Sequence, residues 1–236
     1  YAFVVKNISD GDAALDLGEW ELYGHEEGDE SVDVVHRSVP NKPGQQQLAV
    51  YWDANDSNSY SFADSSNVYD LSGSGVTGAL NGNGVTFDST YNAWTFAGSD
   101  DYIQASLDWS GDVTHSMSFW LKRDSGTTNN EVPIFVGSIS DTASVLLDSC
   151  SSISLRENHV NWFFAWNDIT YSYTTPTLLK DAWHHFVLSY TSGASGPANK
   201  KLYMNGIELS VLNDNHTSNT LSFNSSDTYV RIGGGY

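Results

Sequence analysis

The sequence predicts an all-β fold, a sandwich of antiparallel strands. From residue 48 onward, short segments rich in aromatic and β-branched residues recur every ~8–12 residues between turn signals. These segments lack the 3.6-residue apolar period of an amphipathic helix. Asn205-Gly206 separates two apolar runs and predicts a β-hairpin, because a type I′ turn needs positive φ at both central residues. Together these features favour two packed sheets over helices on a sheet.

Composition and charge narrow the function classes. The 236 residues are 39% hydrophobic and 13% aromatic, enough for a buried core. With 29 acidic and 10 basic residues the net charge is −19, which excludes an electrostatic nucleic-acid binder and disfavours anionic membranes. This charge permits Ca²⁺, but it is equally typical of an acidic surface that keeps a protein in solution. No apolar run is long enough for membrane insertion.

Cys150 is the single cysteine, so an intrachain disulfide is impossible and the fold must depend on its core. A lone cysteine fits assembly in a reducing cytosol slightly better than secretion. Tyr1 is not an initiator methionine and no signal peptide precedes it, so we expect a fragment or a processed product.

The first 47 residues are predicted to be separate from the main domain. Residues 1–24 contain two expected strands, at 2–5 and 17–24, around a turn rich in Asp, Gly and Ser. The run Leu-Gly-Glu-Trp-Glu-Leu-Tyr-Gly at 17–24 resembles the closing strands of discoidin-like (galactose-binding-like) sandwiches, which implies such a module upstream. Residues 25–47 are interpreted as a linker, since they combine a charged run with a Pro-Gly-Gln segment.

The main domain is predicted to span residues 48–236. Within two of its strands, alternation assigns the faces. Met117, Phe119 and Leu121 are expected to point inward with Trp120 opposite, and the even-numbered residues of 184–190 are expected to share one face. Strands are expected at residues 48–52, on both sides of a tight turn within 94–103, and at 117–121, 134–136, 145–147, 153–156, 162–166, 171–173, 184–190, 202–204 and 207–209, with a further strand region at 229–234.

Several motifs resemble laminin-G-like domains of the concanavalin A-like lectin/glucanase superfamily, which also holds the pentraxins. They are Trp-His-His-Phe-Val at 183–187, Leu-Tyr-Met-Asn-Gly at 202–206, and the Gly-rich segment at 69–82. The run at 94–103 resembles a family hairpin, but Ala97 stands where an acidic residue is usual. The resemblance implies a two-sheet antiparallel jelly roll whose last strand is expected to lie outside the sequence.

Catalysis is not expected. The resemblance implies that a glycoside hydrolase of this superfamily would carry alternating carboxylates on one core strand, and retaining cleavage needs carboxyl groups ~5.5 Å apart. No such run occurs in a predicted core strand. The Gly-rich segment at 69–82 is not a phosphate loop, because no Lys-Ser/Thr and no helix pattern follow it. His184 and His185 point to opposite faces, which is poor metal geometry and favours a structural role.

Ca²⁺ is a possible cofactor that the resemblance suggests, since many related domains hold it on loops. Asp70, Asp100 and Asp101 lie at turns where carboxylates could join backbone carbonyls around one ion. The alternative is that they form turns, which aspartate does commonly.

Aromatic side chains give a candidate carbohydrate surface, because ring faces stack on sugar C–H faces while polar groups fix the orientation. One stripe consists of Trp162, Phe164, Trp166, Tyr171 and Tyr173. The alternative is that this stripe forms the core between the sheets. Trp120, opposite the inward residues of its strand, is the cleaner candidate.

The sequence therefore predicts non-catalytic recognition, of glycans or glycoproteins, within a larger protein at a cell surface or on a virion. The alternative is a structural component of an assembly that contacts other structural proteins, and a glycosidase is a third option. A Leu-Gly-Glu-Trp segment followed by this kind of sandwich resembles proteins of large algal viruses and marine microbes. Sequons give weak support for an extracellular context and begin at Asn7, Asn55, Asn215 and Asn224.

Overall fold

Antiparallel pairing joins the strands of the protein into sheets. The computed structural model describes residues 48–61, 66–98, 100–124, 131–138, 150–164, 168–173, 180–193, 197–215 and 221–234. By internal contacts the chain divides into two units, Tyr1–Pro43 and Gly44–Tyr236, and all the described residues belong to the second. The interpretations of residues 1–24 and 25–47, the strand expected at 145–147, Asn7 and Trp166 lie outside the described residues.

Apart from a 3₁₀ turn at Pro197–Asn199, the regular elements of the described chain are strands. None of its helical segments has the length and apolarity that crossing a bilayer requires. The strands are β1 (Asn67–Val68), β2 (Gly78–Asn81), β3 (Val85–Asp88), β4 (Ala93–Phe96), β5 (Tyr102–Ser106), β6 (His115–Lys122), β7 (Glu131–Ser138), β8 (Cys150–Leu155), β9 (His159–Phe164), β10 (Asp168–Ser172), β11 (Trp183–Tyr190), β12 (Lys200–Met204), β13 (Ile207–Glu208), β14 (Val211–Asn215) and β15 (Thr228–Ile232).

Two sheets and one hairpin contain all of these strands. The larger sheet has the order β1-β2-β5-β15-β7-β8-β9-β10-β14, and the smaller has the order β13-β12-β11-β6. The β3–β4 pair forms the hairpin. Long-range neighbours such as β15 between β5 and β7 are what a sandwich requires, so the predicted all-β fold class is confirmed.

The two sheets pack face to face through alternating side chains. On β11, His184, Phe186, Leu188 and Tyr190 are buried, as alternation predicted. The ring of Tyr190 lies 4.4 Å from that of Phe164 on β9, centroid to centroid, which joins the two sheets. The single cysteine permits no intrachain disulfide, so the stability of the fold depends on burying such rings.

A polar network lies inside this core. The Nδ1 atom of His115 is 2.8 Å from the Val113 carbonyl oxygen, and Nε2 is 3.0 Å from Ser151 Oγ. Trp162 Nε1 donates to the same hydroxyl at 3.1 Å. Burial lowers the pKa of His115, so the imidazole stays neutral at pH 7. Each of these buried polar groups is paired, which is what a stable interior requires.

The predicted Asn-Gly turn is confirmed. Asn205 and Gly206 have φ values of 53° and 80°, the positive values that a type I′ turn needs. The side chain of Asn205 also accepts a hydrogen bond from the His185 backbone N–H at 2.9 Å. The turn therefore fixes the register of β12 against β13 and contacts β11 as well.

One predicted strand and one predicted pairing were wrong. Residues 48–52 do not form a strand, because their backbone is held by the Asp70 loop: the Tyr51 N–H donates to Asp70 Oδ1 at 2.8 Å. Residues 94–103 do not form one hairpin. β4 pairs with β3, while β5 lies in the larger sheet between β2 and β15. The chain changes sheets at the turn before Asp101.

Candidate functional site

The outward face of the smaller sheet carries exposed aromatic side chains. Trp120 on β6 is 65% exposed and lies directly opposite His185 on β11. The two rings stack with centroids 5.1 Å apart and an interplanar angle of 28°. Ser118 Oγ lies 2.9 Å from His185 Nε2. An accessible aromatic surface therefore lies beside fixed hydroxyl and imidazole groups.

Sequence alternation fixes this exposed position. Met117 is buried in the core, so residues of even number on β6 must point away from it. The register pairs Trp120 with His185 and Lys122 with Trp183, so all four side chains share the outward face. A one-residue slip would exchange these side chains with the core residues, which the packing forbids.

The turn of the β3–β4 hairpin reaches the end of the same face. Tyr91 is 48% exposed and its ring meets that of Trp183 edge to face, with centroids 5.9 Å apart. The ammonium of Lys122 lies 4.2 Å from the Tyr91 ring centroid. A side-chain hydrogen bond with Tyr91 raises the pKa of Lys122, so it is charged at neutral pH. We call Tyr91, Lys122, Trp120, Trp183 and His185 the outer-face cluster.

Charge on the outward face differs from that of the whole chain. Lys201 on β12 forms an ion pair with Glu208 on β13, with Nζ 2.6 Å from Oε1. The hydrogen bond between them raises the pKa of Lys201 and lowers that of Glu208. Among the charged outward side chains of the described strands of this sheet, the ion pair is neutral and Lys122 adds one positive charge. The outward side chains of these strands therefore carry no surplus of acid, although the chain has a net charge of −19 and Asp124 and Asp181 lie near Lys122 beyond the strand ends.

The other predicted aromatic stripe lies in the core. Trp162, Phe164, Tyr171 and Tyr173 are between 0% and 6% exposed. They fill the space between the sheets, so no ring face is available to a sugar. We therefore assign these four residues to the core, which corrects their inclusion in a ligand surface; Trp166 lies outside the described residues.

Asp70 does not fit a calcium ligand. Its carboxylate accepts five hydrogen bonds, from the backbone N–H groups of Tyr51, Ser72, Gly75 and Val76 and from the Ser72 hydroxyl. Burial alone would raise the pKa of Asp70, but these hydrogen bonds, chiefly those from Ser72, lower it. The carboxylate thus organises the Gly-rich loop and has little capacity left for an ion.

Replacing Asp70 by asparagine is expected to lower the free energy of unfolding by about 2 kcal/mol, because an amide cannot accept all five hydrogen bonds. Urea denaturation at pH 7 measures this. The matched control is Asp88→Asn, since that carboxylate accepts one turn hydrogen bond, from Thr90, at 2.7 Å. The lowered pKa means that the stabilisation holds above the ordinary carboxyl pKa and is lost as pH falls through the lowered value. Equal losses for the two variants would contradict this role.

Asp100 and Asp101 border a depression lined by Gly82, Gly84 and Ala97. The Gly84 N–H donates to Asp101 Oδ1 at 2.8 Å. A Cβ at Gly84 would overlap the Asp101 carboxylate and the Ala97 side chain, so glycine fits this close approach best. In the part of the chain that the structure describes, no group of three or more His, Cys, Asp or Glu is placed to hold a metal ion. The structure does not bring Asp70 together with this pair in such a group.

The described sequons begin at exposed asparagines, Asn55, Asn215 and Asn224. The Asn224 side chain accepts hydrogen bonds from the Ser226 N–H and hydroxyl, which forms a local turn. Exposure leaves these positions accessible for modification.

Sequence analysis identified Trp120 as a site residue but not Lys122, Trp183 or Tyr91, and it assigned His185 a structural role, whereas His185 stacks on Trp120 in the cluster. Lys122 and Trp183 could have been found by continuing the alternation along β6 and β11. Tyr91 gave no local signal, because its role depends on where the β3–β4 hairpin packs.

Comparison with known proteins agrees with the fold. Residues 97–236, more than half of the chain, match the family described as the concanavalin A-like lectin/glucanases superfamily. None of the curated proteins compared with the chain matches it.

Three of the solved structures with a similar fold illustrate the likeness. They are a mutant of HCR/D (16% identity, TM-score 0.54, covering 81% of this chain and 44% of that one), the receptor binding domain of the botulinum neurotoxin C/D mosaic serotype (14%, 0.49, 80% and 47%) and the binding domain of Paraclostridial Mosquitocidal Protein 1 (15%, 0.46, 81% and 48%). At these identities the likeness concerns the fold alone. The chain spans less than half the length of each structure.

Proposed function

Because this chain belongs to the concanavalin A-like lectin/glucanases superfamily, we propose that it is a non-catalytic module that recognises glycans. The superfamily name covers both binding and cleavage, so the site must distinguish them. The observation that carries the proposal is the outer-face cluster, above all the exposed Trp120 ring stacked on His185.

The chemistry of the outer-face cluster suits a sugar. An exposed indole covers the C–H face of a pyranose, and nearby hydroxyl and imidazole groups exchange hydrogen bonds with its hydroxyls. Ser116 and Ser118 on β6 and Ser189 on β11 point to the same side as Trp120. An apolar ring bordered by small polar donors and acceptors is what a neutral, hydroxyl-rich ligand requires.

Hydrolytic cleavage lacks the matching carboxylates on this face. A glycosidase needs two acids flanking the scissile bond, ~5–10 Å apart. Among the outward side chains of the described four-stranded sheet, Glu208 is the acid, and it is ion-paired with Lys201 at 2.6 Å. This arrangement supports recognition without hydrolysis.

Replacing Trp120 by alanine is expected to weaken glycan binding by about tenfold or more, since a stacking residue at the centre of a contact carries much of its free energy. A glycan array followed by titration of the best-bound oligosaccharide measures this. Leu212→Ala is the matched control, because Leu212 is 60% exposed on β14, in the other sheet. Unchanged binding by Trp120→Ala, or equal losses for both variants, would overturn the assignment.

An EDTA arm tests the further proposal that Asp100 and Asp101 hold Ca²⁺.

A structural role in an assembly is the second candidate, and β14 is the observation that favours it. This strand is an edge of the larger sheet, and Val211 and Leu212 on it are exposed. Exposed apolar edges pair readily with other chains. Stable oligomers in light scattering, together with silence on the array, would favour this candidate. In either role we propose a surface location, on a cell or a virion.

A further inference from the structure

We propose that the outer-face cluster binds an extended oligosaccharide lying along β6 and β11, with Tyr91 of the β3–β4 hairpin as a second contact point. This inference rests on the proposed glycan recognition and deepens it. It would make Tyr91, which lies outside the four-stranded sheet, a residue that determines the length of ligand recognised.

The spacing of the aromatic side chains suits a ligand longer than one sugar. Trp183 and His185 lie two residues apart on β11 and share a face, so their Cα atoms are about 7 Å apart. Trp120 lies opposite His185, and Tyr91 contacts Trp183. The face thus presents two aromatic pairs in succession along the strands, separated by more than the width of one pyranose ring.

The aromatic pair of Tyr91 and Trp183 is held in place before any ligand binds. Tyr91 meets Trp183 at an interplanar angle of 66°, and the Lys122 ammonium lies 4.2 Å from the Tyr91 ring centroid. These contacts restrain an otherwise exposed turn residue. Rings positioned before binding lose less conformational entropy when a ligand arrives. Trp183 is 37% exposed, so part of its surface is also accessible.

The charge of the outward face also suits a sugar chain. Outward residues of this sheet include Lys122, Lys201 and Glu208, and the last two neutralise each other at 2.6 Å. Along the strands a neutral or acidic sugar chain therefore meets less repulsion than a net charge of −19 would suggest, although Asp124 and Asp181 lie near Lys122. Lys122 adds a donor at the Tyr91 end. A cationic partner finds no unpaired acid on these strands.

Length ladders of oligosaccharides test the inference. The probes are oligomers of cellulose, chitin, mannan and alginate, from monosaccharide to hexasaccharide, titrated by calorimetry against the intact chain. In the ladder that binds, affinity is expected to rise about tenfold or more from monosaccharide to trisaccharide. Tyr91→Ala is expected to remove most of that gain, so that it lowers trisaccharide affinity by a larger factor than monosaccharide affinity. Tyr91→Phe, which keeps the ring, is expected to retain the gain.

Tyr69→Ala is the matched control, because Tyr69 is similarly exposed but follows β1 in the larger sheet. Equal affinity across a ladder, or a Tyr91→Ala loss of the same size for every length, would overturn the extended site while leaving glycan recognition intact. A folded chain that binds no ladder at all and is silent on the array would overturn both proposals.

Discussion

Replacing Trp162 by alanine is expected to lower the free energy of unfolding by about 3–5 kcal/mol, whereas Trp120→Ala is expected to change it by less than about 0.5 kcal/mol. Trp162 is 0% exposed, and its ring contacts those of Phe164 and Tyr171. Removing it leaves a large cavity and deprives Ser151 Oγ of a donor at 3.1 Å. Trp120 projects into solvent, so its removal leaves no void.

Urea denaturation of the two variants measures this contrast between two tryptophans of the same chain. Trp162→Phe is an intermediate control, because it keeps a ring in the core but loses the indole N–H. A loss below about 1 kcal/mol for Trp162→Ala would contradict the assignment of this stripe to the core. A large loss for Trp120→Ala would show that Trp120 has a structural role as well.

Raising the pH above 10 is expected to lower the free energy of unfolding steeply. The hydroxyl groups of Tyr171 and Tyr173 donate to the carbonyl oxygens of Lys200 and Arg156, at 3.0 and 2.9 Å. Burial raises the pKa of both tyrosines well above the ordinary value of 10.0. Above that pH the unfolded chain releases protons that the folded chain retains, so unfolding becomes easier. Each tyrosine contributes up to about 1.4 kcal/mol per pH unit.

Denaturation at a series of pH values from neutral to strongly alkaline measures this decline. Burial lowers the pKa of Lys200 to about 8, so between about pH 8 and pH 10 this lysine raises the free energy of unfolding with pH, and the decline should begin only above pH 10. Tyr173→Phe is expected to flatten the slope above pH 10, because the group no longer ionises in the unfolded chain. Tyr69→Phe, at an exposed position, is the control and should change the slope less than Tyr173→Phe does. Equal slopes for all three proteins would contradict the role of the buried tyrosine.

Local pattern predicted the fold well, because sandwich strands alternate faces and their turns need particular residues. The inward face of β11, the outward position of Trp120 and the Asn205-Gly206 turn all follow from neighbours in sequence. The stripe at Trp162 and Phe164 shows the limit: alternation says that two side chains share a face, but not whether that face is covered. Strands on the inner faces of two packed sheets and strands facing solvent can carry the same aromatic pattern.

Non-local packing accounts for the remaining differences. β4 and β5 are close in sequence, yet they belong to different sheets, because β3 pairs with β4 while β2 and β15 flank β5. Asp70 could have been interpreted as a metal ligand or as a loop anchor, and only the positions of the five donors decide between them. Tyr91 enters the site because a hairpin distant from β11 in sequence packs beside Trp183. No local pattern contains such contacts.

Nuclear magnetic resonance tests most directly whether the outward face of the smaller sheet binds sugar. The protein, labelled with nitrogen-15, is titrated with the oligosaccharide that binds best in the ladders. The indole N–H signals of Trp120 and Trp183 are predicted to move with increasing ligand, while that of buried Trp162 stays in place. Signals that move only around Asp100 and Asp101, with Trp120 and Trp183 unmoved, would contradict the account.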